Sequence, residues 1–243
     1  MIKPITSKRM MANNYWKLLI DTNGYKEVQG NELATQVSKG RTFELLDNAR
    51  ITDSRRVKVR LLEDGYICWL ELRNFKEQVF PQRSWEPILL SESEIQMKLP
   101  AILSWINKAS EKNNKYLWGG TLGPDFDCSG LVQTAFATNG IWLPRDAYQQ
   151  EKFCRSINFD KNSFKELLPG DLIFFGTTNQ CTHVGVYKGE SCYWHSSGPD
   201  NGRDGIGIDG LQVENEDPVS AYYRKRLRSI GRIESCHDGS TIS

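Results

Sequence analysis

Tyr116-Leu-Trp-Gly-Gly-Thr-Leu-Gly-Pro-Asp-Phe-Asp-Cys-Ser-Gly-Leu131 is the stretch on which the reading of this chain turns. A glycine-rich loop runs into Asp127-Cys128-Ser129-Gly130. Beyond it Leu131, Val132, Ala135 and Phe136 recur at helical spacing, and Asn139-Gly140 supplies a stop. Cys128 therefore stands at a helix N-terminus, where unpaired amides and the helix dipole favour a thiolate over a thiol. A cysteine nucleophile needs a base, and the chain holds three histidines.

His237 falls in a polar tail and is set aside. His183 opens one strand-like segment, 182–187, and His195 ends the next, 191–195, with Lys188-Gly189-Glu190 between them. A hairpin about that turn puts the two histidines symmetrically across it, with Cβ atoms ~5 Å apart if directly opposed. Cys128 then attacks, His183 takes the thiol proton, and His195 holds the imidazole of His183 in the right tautomer. The expected resting form is a thiolate–imidazolium pair. A zinc site built from Cys181, His183, Cys192 and His195 is the competing reading. Residues 192 and 195 point to opposite faces of a regular strand, so no metal is expected. A lone buried cysteine is ordinarily inert core; the loop, the helix start and two histidines on neighbouring strands argue otherwise here.

Around this centre, 172–175 and 229–233 read as further strands of an antiparallel meander. Residues 198–210, rich in glycine and aspartate, read as a loop, with Arg203 and Asp204 in it as speculative substrate contacts. Short helices are expected at 145–150, begun near Pro144, and at 222–228. Upstream, Ser91 and Glu94 form a capping box for a helix whose buried face is Ile95, Leu99, Ile102, Ile106 and Ala109. Pro100 either kinks that helix or begins a second one.

The N-terminal third has a different grain. Segments 15–20, 40–46 and 56–61 read as short strands, and Asp64-Gly65 turns the last of them into 66–70. Asp21-Thr-Asn-Gly24 reads as a turn. Several strands with no convincing helix suggest a small barrel. Phe80-Pro81 and Glu86-Pro87 mark a linker. The expected organisation is a barrel over 1–85 with a loose lead-in, a linker over 86–99, a catalytic domain over 100–234 and a frayed tail over 235–243.

Composition excludes some functions. The net charge is +1, from 31 basic and 30 acidic residues, so nothing draws the whole molecule to nucleic acid or an acidic membrane. The run Arg224-Lys-Arg-Leu-Arg228 reads as a solvated helix face. No apolar run approaches the ~20 residues of a membrane span, and no apolar region follows the N-terminal lysines and arginine. The expected compartment is the cytoplasm, where the six cysteines stay as thiols.

Tyr116-Leu-Trp-Gly-Gly120, Asp127-Cys-Ser-Gly-Leu131, Leu143-Pro-Arg145, Gly170-Asp-Leu172, His183-Val-Gly185 and His195-Ser-Ser-Gly198 occur in the order found in the NlpC-type family of cell-wall peptidases, which the chain resembles over roughly 100–233. Glu63-Asp-Gly-Tyr-Ile-Cys-Trp-Leu70 resembles the late strands of a bacterial SH3-like barrel, with Cys68 where glycine is common. The resemblance implies an α+β fold: a papain-like NlpC-type catalytic domain of helices and antiparallel sheet, preceded by a small all-β SH3-like barrel. It implies a Cys128–His183–His195 triad that needs no cofactor. The implied activity is that of a γ-D-glutamyl-L-diamino acid endopeptidase acting on murein peptides, the diamino acid usually being meso-diaminopimelate. The backbone N–H of Cys128 and the Tyr116 hydroxyl are the oxyanion candidates.

For substrate binding, Asp127 and Tyr66 match family positions that read the free amine of an N-terminal L-Ala, and Trp118 and Ser129 match cleft walls. Arg145 either walls the cleft or braces it. Plainer readings stand beside these: a helix cap for Asp127, barrel packing for Tyr66, a packed aromatic for Tyr116. A murein-binding module with a degenerate catalytic domain, or a related thiol amidase or acyltransferase, are the alternative functions.

Overall fold

The computed structural model describes residues 15–46, 56–72, 75–160, 163–212 and 216–240. The chain divides into two compact units, Met1–Pro87 with His237–Ser243, and Ile88–Cys236. The lead-in expected before residue 15 lies outside the described residues.

The first unit is a seven-stranded antiparallel sheet, ordered β3-β2-β6-β5-β4-β1-β7. Its strands are β1 (Tyr15–Leu18), β2 (Thr22–Tyr25), β3 (Leu33–Val37), β4 (Thr42–Leu45), β5 (Arg56–Leu61), β6 (Ile67–Glu71) and β7 (Val79–Gln82), with one helical turn, α1 (Phe75–Gln78), before the last. In β5 the period-two pattern does what it promises: Val57, Val59 and Leu61 are buried and the charged residues between them are not. They join Trp16, Leu18, Phe43 and Leu70 in one core. The expected β5–β6 hairpin forms, with Arg60 opposite Ile67. Asp64 Oδ1 accepts from Tyr66 N–H at 3.1 Å, and Gly65 takes the positive φ of 66° that the turn requires.

Two expectations fail among these strands. Residues 22–24, read as a turn, begin strand β2, because Gly24 lets the backbone lie against Cys68. A Cβ at Gly24 would stand 2.8 Å from the Cys68 sulfur. Phe80-Pro81, read as the linker's start, lies within β7. That strand is at the sheet edge, where a missing N–H costs no ladder bond.

Of the tail expected to fray over 235–243, the described residues 235–240 are packed, and 241–243 lie outside the described residues. His237 is buried, and Gly239 lies so close to the Leu62 carbonyl that a Cβ there would be 2.2 Å from its oxygen.

The second unit carries helices α2 (Glu92–Ser110), α3 (Cys128–Ala137), α4 (Ala147–Phe153) and α5 (Pro218–Arg224). Its sheet is ordered β12-β11-β10-β9-β13-β8, from β8 (Arg155–Ser156), β9 (Leu172–Gly176), β10 (Cys181–Gly189), β11 (Cys192–Ser197), β12 (Gly205–Gly210) and β13 (Leu227–Arg232). Helix α2 opens on the expected box: Ser91 N–H donates to Glu94 Oε2 at 2.8 Å, and Ser91 Oγ accepts from Glu94 N–H at 3.4 Å. It runs unbroken through Pro100, whose ring sits on the exposed face. So 92–99, expected as linker, is helix. Ile95, Ile102 and Ile106 of α2 pack with Val132, Ala135 and Phe136 of α3 and with Val184 and Val186 of β10. That core fixes the cysteine helix against the strand bearing His183. Strand β12 takes the second half of the loop expected over 198–210, the first half holding a 3₁₀ turn at Pro199–Asn201; β12 pairs with β11 from Cys192–Gly210 to Ser197–Gly205.

Among the described residues no helix is long and apolar enough to cross a membrane.

Candidate active site

Asp127 caps α3, its carboxylate accepting from Gly130 N–H at 2.6 Å and Gly119 N–H at 2.8 Å. The loop is pressed tightly onto the helix start: a Cβ on Gly130 would lie 2.0 Å from the Gly120 carbonyl oxygen. Ser196 Oγ of β11 donates to the Phe126 carbonyl at 2.7 Å, tying the strand that carries His195 to the loop that delivers Cys128.

Strands β10 and β11 pair with Val186 opposite Trp194 and Tyr187 opposite Tyr193, and a bulge lies at the turn. Continued outward, that register sets His183 opposite Ser197 and His195 opposite Gly185. The histidines are diagonal neighbours, not directly opposed, because the bulge shifts the pairing from the symmetric count. Both side chains share a face and reach each other: His183 Nε2 and His195 Nδ1 are 2.7 Å apart.

The far nitrogen of His195, Nε2, lies 2.7 Å from Asp209 Oδ2 on β12. Asp209 also accepts from Arg203 through Nε at 3.0 Å and an amino group at 2.7 Å, and from Ser220 Oγ at 2.6 Å. Arg203 in turn bonds Asp217, the N-cap of α5, at 3.0 Å. Sequence reasoning missed Asp209 and left Arg203 as a speculative substrate contact; it is an ion-pair partner. Asp204, its neighbour in that reading, accepts from Tyr116 N–H at 3.3 Å.

Tyr223, on α5, was also not singled out. Its ring stacks on His183 and meets the edge of His195, while Phe175 and Tyr193 close the other sides.

Electrostatics depart from the expected resting ion pair. Burial first, and the adjacent Asp127 carboxylate second, push the Cys128 thiol up to about 12; backbone N–H groups of Val184 and Ser129 and the Arg145 charge oppose this. Burial, then the neighbouring His195, hold His183 well below its ordinary 6.5. The enclosed site favours a neutral thiol beside a neutral imidazole. Asp209 goes the other way: its bonds to His195, Arg203 and Ser220 outweigh burial and hold it ionised, well below the carboxylate range.

Arg145, read as either a wall or a brace of the cleft, is 1% exposed. Its guanidinium grips Asp127 through both oxygens, at 3.1 and 2.6 Å, and reaches Ser129 Oγ at 3.0 Å. It is a brace beneath the nucleophile, since a side chain so covered offers a ligand no surface. Ser129 and Asp127 are buried in the same network. Trp118, by contrast, is 59% exposed. Burial, then Cys128 and Asp127, raise the Tyr116 phenol, so it stays a hydrogen-bond donor. Tyr66 belongs to the first unit, half-buried against its core.

Residues 113–232 match the NlpC/P60 family, and 24–74 match the bacterial dipeptidyl-peptidase SH3 domain. The catalytic unit is an NlpC/P60 domain. Among curated relatives, the NlpC/P60 part is similar to the bifunctional muramidase/DL-endopeptidase CwlT of Bacillus subtilis, 41% identical over 124 residues, covering 49% of this chain and 32% of that protein. It is also similar to a γ-D-glutamyl-L-lysine dipeptidyl-peptidase of the same organism, 38% identical over 123 residues, covering 49% of this chain and 36% of that protein. The chain thus spans about a third of the length of these relatives. The fold of NlpC2 from Trichomonas vaginalis covers 92% of this chain and 99% of its own at 16% identity, with a TM-score of 0.50.

Proposed function

We propose that this protein is a cysteine peptidase that hydrolyses the γ-D-glutamyl-L-diamino acid bond of murein peptides bearing a free N-terminal L-Ala. The observation that carries the reading is the bonded series of side chains on the strands that pack against the nucleophile's helix. Cys128 sits at the start of α3, and His183, His195 and Asp209 are linked in series by two 2.7 Å bonds. The NlpC/P60 match supports the peptidase class. The SH3 match is to a domain named for bacterial dipeptidyl-peptidases, and one relative carries that activity in its name. A dipeptidyl-peptidase releases two residues from a free N-terminus, which supports the requirement for a free amine.

In this reading Cys128 gives its proton to His183 as its sulfur attacks the γ-carbonyl of D-Glu. The Tyr116 phenol and the Cys128 backbone N–H donate to the developing oxyanion. His183 then protonates the departing amine of the diamino acid. Water hydrolyses the acyl-enzyme, with His183 as general base. Trp118 offers its exposed face to the peptide. Asp127 and Ser129 already spend their oxygens on the cap and on Arg145. An ammonium at this corner would share that network rather than meet a free carboxylate.

The test is a peptide panel under reducing conditions: L-Ala-γ-D-Glu linked to diaminopimelate or to L-Lys, each with a free or acetylated N-terminus. Release of the diamino acid from the free peptides alone is expected, and Cys128→Ala should abolish it. No release from any peptide by folded protein overturns the peptidase reading. Equal release from capped and free peptides overturns the amine requirement alone.

A further inference from the structure

The hydrogen bonds of the histidine pair can be satisfied in one direction. Asp209 accepts from Arg203 through both oxygens, and from Ser220. Ser220 Oγ itself accepts from Gly210 N–H at 3.0 Å, which commits its proton to Asp209. A carboxylate so surrounded by donors is ionised and can only accept. The proton between Asp209 and His195 therefore sits on His195 Nε2. A neutral imidazole has one donor and one acceptor nitrogen, so His195 Nδ1 is a lone pair. That lone pair faces His183 Nε2 at 2.7 Å, so His183 Nε2 carries its proton. What remains is His183 Nδ1, unprotonated and outside the chain.

We propose that Asp209 is a positioning residue that sets the tautomer of His183 through His195, leaving Nδ1 of His183 as the nitrogen that receives the Cys128 proton. Two rings pass the instruction from a carboxylate on β12 to the base on β10. Arg203 and Ser220 keep Asp209 in the accepting form that starts it. That His183 serves as base rests on the function proposed above; the tautomer order rests on the hydrogen bonds alone.

The test is long-range ¹H–¹⁵N NMR of the imidazoles in the labelled protein at neutral pH, which has three histidines to assign. In the wild type, Nδ1 of both His183 and His195 should be pyridine-like and both Nε2 atoms pyrrole-like. In Asp209→Asn each position meets an Arg203 donor, Oδ1 at 2.7 Å with Ser220 beside it and Oδ2 at 3.0 Å with His195 beside it; the amide oxygen keeps the Oδ1 position, because the Ser220 proton is committed there while His195 can turn acceptor by changing tautomer. The amide NH₂ then falls at the Oδ2 position and donates to His195 Nε2. Both rings should invert, placing a proton on His183 Nδ1. Turnover should fall by roughly 10²–10⁴ in kcat with KM little changed, the scale of the wrong-tautomer variant of the serine-protease triad. Asp209→Ala, which imposes no tautomer, should retain more kcat than Asp209→Asn. A merely structural role predicts the reverse order, because asparagine fills the same space. A pyrrole-like His183 Nδ1 in the wild type overturns the proposal, as does Asp209→Asn turning over no slower than Asp209→Ala. If Asp209→Asn does not fold, the wild-type spectrum still decides. If no peptide is cleaved, the peptidase reading fails while the NMR result stands by itself.

Discussion

Tyr223 lies flat over His183, ring centroids 4.3 Å apart and planes inclined by 25°. The same ring meets His195 edge-on at 4.8 Å and is bonded through its hydroxyl to Ser197 of β11. One aromatic side chain from α5 thus limits the rotation of both imidazoles. Stacking does this without the hydroxyl, so the two parts of Tyr223 should separate on mutation. Tyr223→Phe keeps the plane and is expected to retain kcat within about tenfold, losing one hydrogen bond of order 1 kcal/mol in stability. Tyr223→Ala removes the plane and opens a cavity. It is expected to lose kcat by at least ~10²-fold and about 3–5 kcal/mol of stability. Steady-state kinetics and urea unfolding on both variants measure this; equal kcat in the two would show that the stack does not hold His183.

The pH dependence of Cys128 alkylation separates two resting states. With the thiol pushed up to about 12 by burial and Asp127, the iodoacetamide rate should climb steadily through pH 9. A thiolate–imidazolium pair would instead give a plateau from roughly pH 4 to 8, as paired cysteines do. Fitting the rate of Cys128 modification, read by mass spectrometry against the other cysteines, distinguishes a rising curve from a flat one.

The sequence located the nucleophile because local rules act there: a glycine-rich loop, a cap and an apolar stripe are all written within twenty residues of Cys128. It located His183 and His195 because strand period and a turn suffice to place them on one hairpin. It did not show their diagonal register, which depends on a bulge, nor Asp209. The segment Gly205-Ile-Gly-Ile-Asp-Gly210 has the composition of a loop and becomes a strand by pairing with β11 along its whole length. Its glycines suit the contact: a Cβ at Gly207 would stand 2.2 Å from the Arg203 side chain. Arg145 and His237 share a cause. Each is buried by partners distant in sequence, and no local pattern marks a polar residue for burial.

The Arg145–Asp127 pair should be a stability determinant. Both side chains are nearly sealed from solvent, and Asp127 also caps α3. Removing the cation leaves a buried carboxylate with its charge unmatched, which ordinarily costs about 3–5 kcal/mol. Arg145→Met is expected to lower the urea unfolding free energy by that amount. Arg145→Lys should recover part of it, because an ammonium restores charge but not the two-pronged geometry. A double variant, Arg145→Met with Asp127→Asn, should be more stable than Arg145→Met alone, since no unpaired charge remains. If the double variant is instead less stable by the sum of the single effects, the pair is not coupled.

Acid should weaken this protein earlier than carboxylate titration alone would. All three histidines are held below the ordinary 6.5, each chiefly by burial; Asp209 opposes the shift at His183 and His195, and Asp64 and Asp238 oppose it at His237. A histidine depressed on folding binds its proton more readily in the unfolded chain. Below about pH 6.5 the unfolded state therefore holds more protons, and unfolding becomes easier with every step down. Above that value the term is absent and stability is flat. Each histidine that stays neutral while its unfolded counterpart is charged removes about 1.4 kcal/mol per pH unit. His183 and His195 are in one unit and His237 in the other, so each unit carries its own acid-sensitive term. Urea midpoints measured from pH 8 to 5 should hold steady to about 6.5 and then fall. His237→Asn should flatten the fall for the transition that reports on the barrel, and leave it for the catalytic unit. Midpoints unchanged down to pH 5 would mean that the histidines titrate alike in the folded and unfolded chains.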